Sequence, residues 1–392
     1  MARKPDVFSI DDLEQYASTV LPKMVRDYFN GGALDSRALN ANRSAYLKYY
    51  IRPRVLRNVE GISTQTKVFR DGNKIPFPCA VAPAAMQKMA HPEGEEATAR
   101  ACGAYGTVMG LSTYSTTSLE EVKGLAEASR QAAGLIGPAE LVLQLYVFQN
   151  RSVTEQLIRK AETHGYKAIV LTVDTPQFGR RLTEMRNNFK VPPHLKMANF
   201  PDSLGVKTGS ELRTRDLEAG AQPMAGANAS TANKLDPSLT WEVIPWLKSL
   251  TKLPIWAKGI LAEEDAKLAV QYGADAIFVS NHGGRQLDQA PPTLDVLPGI
   301  VKAVNKAVPV HFDGGIRRGS DIFKALCLGA DMVWVGRPAL WGLAYDGEHG
   351  VANALKILED EFRECMILSG CASLRDLGPH LLINAQNGSS KL

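Results

Sequence analysis

From about residue 75 onward, eight short apolar runs alternate with amphipathic segments, and this alternation leaves few folds open. The runs are Cys79–Ala82, Thr107–Leu111, Val142–Val147, Ala168–Val173, Ile255–Lys258, Ala276–Ser280, Val308–Asp313 and Met332–Val335. Each is nearly all apolar, as a strand covered on both faces must be. Helical spacing occupies most of the gaps, as in Val153–His164, Glu263–Tyr272, Leu294–Val304 and Gly319–Leu328. Eight β-then-α units in series predict an α/β chain that closes into a (β/α)8 TIM barrel. A doubly wound sheet usually has fewer units and opens on a glycine-rich dinucleotide turn, which is missing here.

The barrel repeat has an N-terminal extension and one interruption. Before residue 75 the pattern predicts two short helices, the first capped by Ser9 with Asp12, the second started by Pro22 and ended by Gly31-Gly32. Between the fourth and fifth runs lies a long insert, about 185–238, rich in Gly, Ala, Asn, Ser and Pro. A structureless stretch of that length, attached to the C-terminal end of a strand, predicts a partly disordered lid over the active-site face. The expected organisation is one domain over 1–380 that includes this lid, followed by a tail over 381–392.

At 392 residues the chain is long for an ordinary domain but suits one barrel, and 45% hydrophobic content supplies ample core. A net charge of +4, with Lys and Arg scattered, argues against nucleic acid and fits a small anionic ligand. The five cysteines contain no C-x-x-C pair, which argues against a disulfide framework or a zinc site and predicts a reducing compartment. No run approaches a membrane span and no signal-peptide core opens the chain, so a soluble, non-secreted protein is expected. Ser390-Lys391-Leu392 matches the C-terminal peroxisomal tripeptide and predicts that address.

Functional residues of such barrels gather where strands end. The first end gives Ala82-Pro83-Ala84-Ala85-Met86, small residues that let a planar ring approach the backbone. Ser112 and Tyr114 follow the second run, Gln144 and Tyr146 the third, Thr172 and Asp174 the fourth, and Lys258 the fifth. The sixth gives Ser280-Asn281-His282-Gly283-Gly284-Arg285-Gln286, a proton acceptor beside a carboxylate clamp, with glycines that leave room for something flat. A buried His-Arg pair would repel without an acidic ligand, so the pair suits proton removal from a small acid. Asp174, near His282, would favour the imidazolium formed, and Arg181 could join Arg285 on the carboxylate; Arg180 is expected to be solvated or structural. After the seventh and eighth runs, Asp313-Gly314-Gly315 with Arg317, and Gly336-Arg337, offer backbone N–H groups and guanidinium forks at the usual phosphate position of this fold. Ser112, Gln144 and Thr172 suit the edge of a heteroaromatic ring, and Lys258 would stabilise a flavin that gains electrons. His91 could cap a helix; His164, His194, His311, His349 and His380 are expected on the surface or in the core, and the five tryptophans in packing.

Together these residues resemble the FMN-dependent 2-hydroxy acid oxidase/dehydrogenase family, which contains glycolate and lactate oxidases. The likeness runs from about Leu21-Pro22-Lys23-Met24 to Leu368-Ser369-Gly370-Cys371. Its specific motifs are Ala85–Gly94, Leu171–Pro176, Ser280–Gln286 and Asp313–Gly319. The resemblance implies His282 as active-site base with Asp174 as its charge partner. It implies Arg181, Arg285 and Tyr28 on the substrate carboxylate and Tyr146 on the substrate. FMN would be held by Ala84, Ala85, Ser112, Gln144, Thr172, Lys258 and Ser280, its ribityl chain and phosphate by Asp313, Gly315, Arg317, Gly336 and Arg337. Tyr28 is singled out by the resemblance alone.

The departures bear on substrate. Tyr114 stands where plant glycolate oxidases resemble one another in having Trp, and Ala84 where they have Thr; both would border the substrate side chain. Ala85 stands where the lactate monooxygenase branch tends to carry Gly, which favours peroxide release. No haem-binding domain precedes the barrel and the insert lacks an apolar helix, so neither a cytochrome-fused nor a membrane-bound dehydrogenase is expected. The expected activity is oxidation of (S)-2-hydroxy acids (glycolate, L-lactate or longer) by O2, giving 2-oxo acids and H2O2, in a homo-oligomer, commonly a tetramer in this family. The alternative is a dehydrogenase of the same family that uses a quinone or a carrier protein.

Overall fold

The computed structural model describes residues 4–200 and 235–385. The eight apolar runs become eight parallel strands: β1 (Cys79–Val81), β2 (Met109–Leu111), β3 (Leu141–Leu145), β4 (Ala168–Thr172), β5 (Ile255–Ile260), β6 (Ala276–Val279), β7 (Val310–Asp313) and β8 (Met332–Val335). They close in the order β7-β8-β1-β2-β3-β4-β5-β6, with β6 paired to β7. This is the expected (β/α)8 barrel, with strand ends displaced by no more than two residues from those the sequence predicts.

Alternation along each strand explains why the runs read as continuously apolar. Ala80, Val170, Trp256, Phe278 and Trp334 belong to the core inside the barrel, whereas Val81, Ile169, Leu171, Ala257 and Ile277 pack outward on the helix layer. His311 shares that interior, stacked on Trp256 at 4.2 Å and accepting from the Trp334 indole N–H at 3.0 Å. Burial without a charged partner pushes its pKa down to about 3, so it is a neutral core residue.

The N-terminal region holds three helices rather than two: α1 (Ile10–Val20), α2 (Lys23–Asn30) and α3 (Arg37–Ser44). Ser9 caps α1, accepting from the Asp12 N–H at 3.2 Å, and Pro22 and Gly31 bound α2 as expected. The third helix escapes sequence analysis because Ser36 precedes it in the left-handed region without a capping bond, and little of it is apolar. Tertiary contacts place it instead. The Asp288 carboxylate accepts from the N–H groups of Asp35 and Ala38, at 3.0 and 3.2 Å, and Asn42 pairs with Asn281.

Around the barrel run α4 (Gly94–Tyr105), α5 (Leu119–Ala132), α6 (Arg151–Thr163), α7 (Leu182–Arg186), α8 (Val243–Leu250), α9 (Glu263–Gln271), α10 (Thr293–Val304), α11 (Gly319–Cys327) and α12 (Arg337–Leu368), the last broken at Asp346-Gly347. Two small antiparallel ribbons complete the fold. Thr66–Lys67 pairs with Lys74–Ile75, and Phe69 between them stacks on Trp256 at 5.5 Å. Tyr49–Ile51 pairs with Leu382–Asn384, so the start of the expected tail is a strand. Ser390-Lys391-Leu392 lies outside the described residues.

The insert is not structureless at its root. Its first part includes the end of α7, then a chain whose Phe189, Val191, Leu195, Met197 and Phe200 are buried. Asn199 donates to the Ser112 and Thr113 carbonyls and accepts from the Leu119 N–H, stitching the segment to the end of β2. The expectation of disorder falls on 201–234, outside the described residues. Among the described residues no helix is long and apolar enough to cross a membrane.

Candidate active site

The loop after β6 is built for backbone reasons first. His282, Gly283 and Gly284 have φ of 57°, 64° and 75°, three left-handed residues in succession. For histidine this conformation is uncommon and must be held by its surroundings. Asn281 holds it by accepting from the Gly284 N–H at 3.1 Å, and Arg337 donates to the Gly283 carbonyl at 3.0 Å. A Cβ on Gly284 would lie 2.4 Å from the Leu39 nitrogen. That glycine therefore makes room for α3, not for a flat ligand; Gly283 alone of the two lines a cavity.

His282 Nδ1 sits 3.0 Å from Asp174 Oδ1, just beyond the end of β4. The close approach needs Gly259 in β5, where a Cβ would meet the Asp174 Cβ at 2.7 Å and where the β5–β6 register shifts. Burial pushes the Asp174 carboxyl up, but the charge and hydrogen bond of His282, with Lys258 and Thr175, overcome this and hold it below its usual range. Burial lowers the pKa of His282, with Asp174 opposing and Lys258 and Arg181 assisting. Asp174 is held ionised, and its contact with Nδ1 leaves Nε2 of His282 turned to the cleft for proton exchange.

A cleft opens above the strand ends, with about 1280 Å3 of empty space when its mouth and the adjoining solvent are included. Every residue expected at the site lines it except Asp174, which stands behind His282, and Ser280. The Ser280 hydroxyl is fully buried, accepting from Lys258 Nζ at 2.9 Å and from the His282 N–H at 3.1 Å. It braces these two residues from outside the lining.

Arg285 and Arg181 converge at one side of the cleft with Tyr28, Tyr114 and Tyr146. Arg285 donates to the Tyr28 and Gly31 carbonyls and lies 4.9 Å from the Tyr28 ring centroid. Arg181 lies over Phe178. Tyr114 and Tyr146 have ring centroids 5.5 Å apart, and burial raises both phenols, keeping them protonated donors. The Tyr114 hydroxyl is buried without a hydrogen-bond partner.

The opposite side is polar in a graded way. Gln144 accepts from the Thr113 N–H and donates to Thr172, and Ser112 accepts from the Tyr114 N–H. Lys258 pairs with Asp313 Oδ2 at 3.2 Å, leaving Asp313 Oδ1 buried without a hydrogen bond. Gly314 and Gly315, both at positive φ, turn the chain ahead of Arg317, and Gly336, Arg337 and Pro338 at the start of α12 line the same cleft. The two arginines differ here. Arg317 Nε has no hydrogen-bond partner, its nearest carboxylate being Glu14 at 3.7 Å, and burial brings its pKa down to about 10. Arg337 instead donates to the carbonyls of Phe29, Gly31 and Gly283, so its side chain ties α2 to the histidine loop.

Sequence analysis missed three contributors. Phe178 and Trp334 line the cleft, and their aromatic character alone does not distinguish them from packing residues. Glu184, buried beside Arg181 and Arg285, was signalled by its i,i+3 spacing from Arg181 and by the acidic partner that clustered arginines require.

A barrel with small residues at one strand end, hydrogen-bonding groups along the next three, a lysine, and a basic helix N-terminus at the far side defines a binder of a planar, phosphorylated cofactor. The unsatisfied Arg317 Nε and Asp313 Oδ1, both on lining residues, fit the phosphate and hydroxylated chain of such a group. The chain matches the model of the FMN-dependent dehydrogenases over residues 17–384 and belongs to that family, whose cofactor is FMN. It is 48% identical over 371 residues to human (Homo sapiens) 2-hydroxyacid oxidase 1, covering 95% of each chain. It is 44% identical over 387 residues to spinach (Spinacia oleracea) glycolate oxidase, covering 98% of each. Among solved structures, mandelate oxidase with (S)-4-hydroxymandelic acid superposes with a TM-score of 0.83 at 39% identity, covering 96% of this chain and 98% of that one.

Proposed function

We propose that this protein is an FMN-dependent oxidase of small (S)-2-hydroxy acids, converting a 2-hydroxy acid and O2 to a 2-oxo acid and H2O2. The observation that carries it is the convergence, on the cleft that fits FMN, of His282 backed by Asp174 with two arginines. Ala84 and Ala85 would flank the ring, Ser112, Gln144, Thr172 and Lys258 its polar edge, Asp313 the ribityl chain, and Gly315, Arg317, Gly336 and the Arg337 backbone the phosphate. FMN, when bound, would supply the acceptor for the α-hydrogen with its electron pair.

The chain's own residues bind, orient and deprotonate. Arg181 and Arg285 hold the substrate carboxylate, with Tyr28 beside Arg285. That contact fixes the α-carbon and directs the hydroxyl at His282 Nε2. His282 accepts the hydroxyl proton there while its Nδ1–H stays on Asp174, whose charge stabilises the imidazolium. A protonated Tyr146 donates to the substrate oxygen on which charge develops. Tyr114, facing Phe178 and Phe200, borders the side-chain end and sets the acid that fits.

The names of the relatives support oxidase rather than dehydrogenase chemistry, and Ser390-Lys391-Leu392 supports a peroxisomal location. Homo-oligomeric assembly rests on family resemblance, and a mass measurement in solution tests it. The deciding experiment mixes yellow holoenzyme anaerobically with glycolate, L-lactate and a longer (S)-2-hydroxy acid, then admits air. Bleaching by one acid, followed by fast recolouring and peroxide, is expected. Bleaching with slow recolouring would assign a dehydrogenase, and no bleaching by any acid would refute the proposal.

A further inference from the structure

Glu184 is the acidic group that the arginine pair requires, and its geometry is unlike that of an ordinary structural salt bridge. Its side chain is 2% exposed. One oxygen, Oε1, serves both guanidinium groups, 3.4 Å from Arg181 Nη1 and 3.3 Å from Arg285 Nη2. These are long beside the roughly 2.7–2.9 Å of a charge-assisted bond, and Glu184 meets each arginine through one oxygen rather than two. The other oxygen, Oε2, is buried without a hydrogen bond. Glu184 balances charge on both arginines through a single oxygen.

Its carrier is equally specific. Glu184 lies on α7 at the root of the insert, and Arg181 stands just before that helix. The helix is braced against α2: Asn187 donates to Asp27 at 3.0 Å, and Phe189 stacks on Tyr28 at 4.7 Å. Arg285 is fixed to the C-terminal end of α2 through the Tyr28 and Gly31 carbonyls. Glu184 therefore joins an arginine on the loop leading into α7 to one on the histidine loop, across an interface between separate elements.

We propose that Glu184 is a positioning residue of the substrate-carboxylate clamp, holding Arg181 and Arg285 side by side and charge-balanced so that an incoming 2-hydroxy acid meets a preset pair. The proposal rests on the assignment of those arginines to substrate. It also bears on the base: the charged groups acting on His282 are Asp174, Lys258 and Arg181, and removing the Glu184 charge leaves Arg181 less neutralised. His282 then becomes harder to protonate, and the acid limb of activity moves to lower pH.

The test uses FMN-loaded enzyme with Glu184→Gln, which keeps the shape and removes the charge, and Glu184→Asp, which keeps the charge and shortens the reach. Arg181→Lys serves as control. Flavin content and melting temperature report folding; kcat, KM and the pH profile of kcat/KM report the clamp. Glu184→Gln should lower kcat about tenfold or more without a matching rise in KM, and move the acid limb down by several tenths of a pH unit. Glu184→Asp should lower kcat with the acid limb at its wild-type position. A Gln variant with wild-type kcat and acid limb, or one altered only in melting temperature, overturns the proposal. Should the Gln variant fail to retain FMN, the Asp variant decides, because a shifted acid limb or an unchanged kcat there overturns it as well. If Arg181→Lys leaves KM for 2-hydroxy acids unchanged, the clamp assignment itself fails; if it raises KM while Glu184 variants behave as wild type, only the role of Glu184 fails.

Discussion

Replacing Asp174 by Asn isolates the charge behind the base with little change of shape. The amide keeps an oxygen for His282 Nδ1–H and for the Thr175 hydroxyl now 2.8 Å away, and Gly259 leaves the same space. What is lost is the attraction between the carboxylate and the imidazolium formed as His282 accepts a proton. With charge centres roughly 4 Å apart and an effective dielectric constant of about 20, that attraction is about 4 kcal/mol. If half to all of the charge has developed in the transition state, the barrier rises by about 2–4 kcal/mol, or roughly 30- to 1,000-fold in rate. The assay is anaerobic stopped-flow bleaching of the flavin at saturating substrate across pH 5–9. The sign of the pH effect is fixed as well. Burial, Lys258 and Arg181 lower the pKa of His282 while Asp174 raises it, so removing Asp174 moves the acid limb to lower pH as the plateau falls. A plateau within threefold of wild type, with FMN fully bound, would refute the assignment of Asp174 to the base. A limb that moves upward would refute the electrostatic account.

Lys258→Met should slow flavin reduction and lower the flavin midpoint potential, because a buried cation facing the cofactor is removed; spectroelectrochemical titration checks this, and an unchanged potential would place Lys258 outside the flavin's field. The same change strips Asp313 of its ion-pair partner, so weaker FMN retention should accompany it. Arg317→Ala should weaken FMN binding about 10- to 100-fold, as expected for loss of a hydrogen bond to a charged group worth about 1.5–3 kcal/mol, measured by fluorescence titration of the apoprotein. Gly284→Ala should destabilise the fold and the loop together, because its methyl would meet the Leu39 nitrogen at 2.4 Å with φ at 75°; a melting curve identical to wild type would show that the close approach of α3 is not required.

The sequence by itself determined the barrel, because a strand covered on both faces must be apolar at every position, and eight such runs leave one economical closure. It also located the cleft, since polar residues placed just after buried strands have no outlet except the strand-end face. His282, Lys258 and Arg317 were legible for that reason. Tertiary structure decided what depends on approach between distant segments. Asp174 reaches His282 only because Gly259 lacks a side chain, and Gly284 proved to serve α3 rather than a ligand. Ser280 and Arg337 have side chains directed to neighbouring protein groups, which no strand-end pattern reports. Helix α3 and the root of the insert carry weak local signals, and they are fixed by hydrogen bonds to groups more than 80 residues away. Glu184 belongs to the same class: its meaning comes from two arginines that the chain separates by more than 100 residues and the fold brings to a single oxygen.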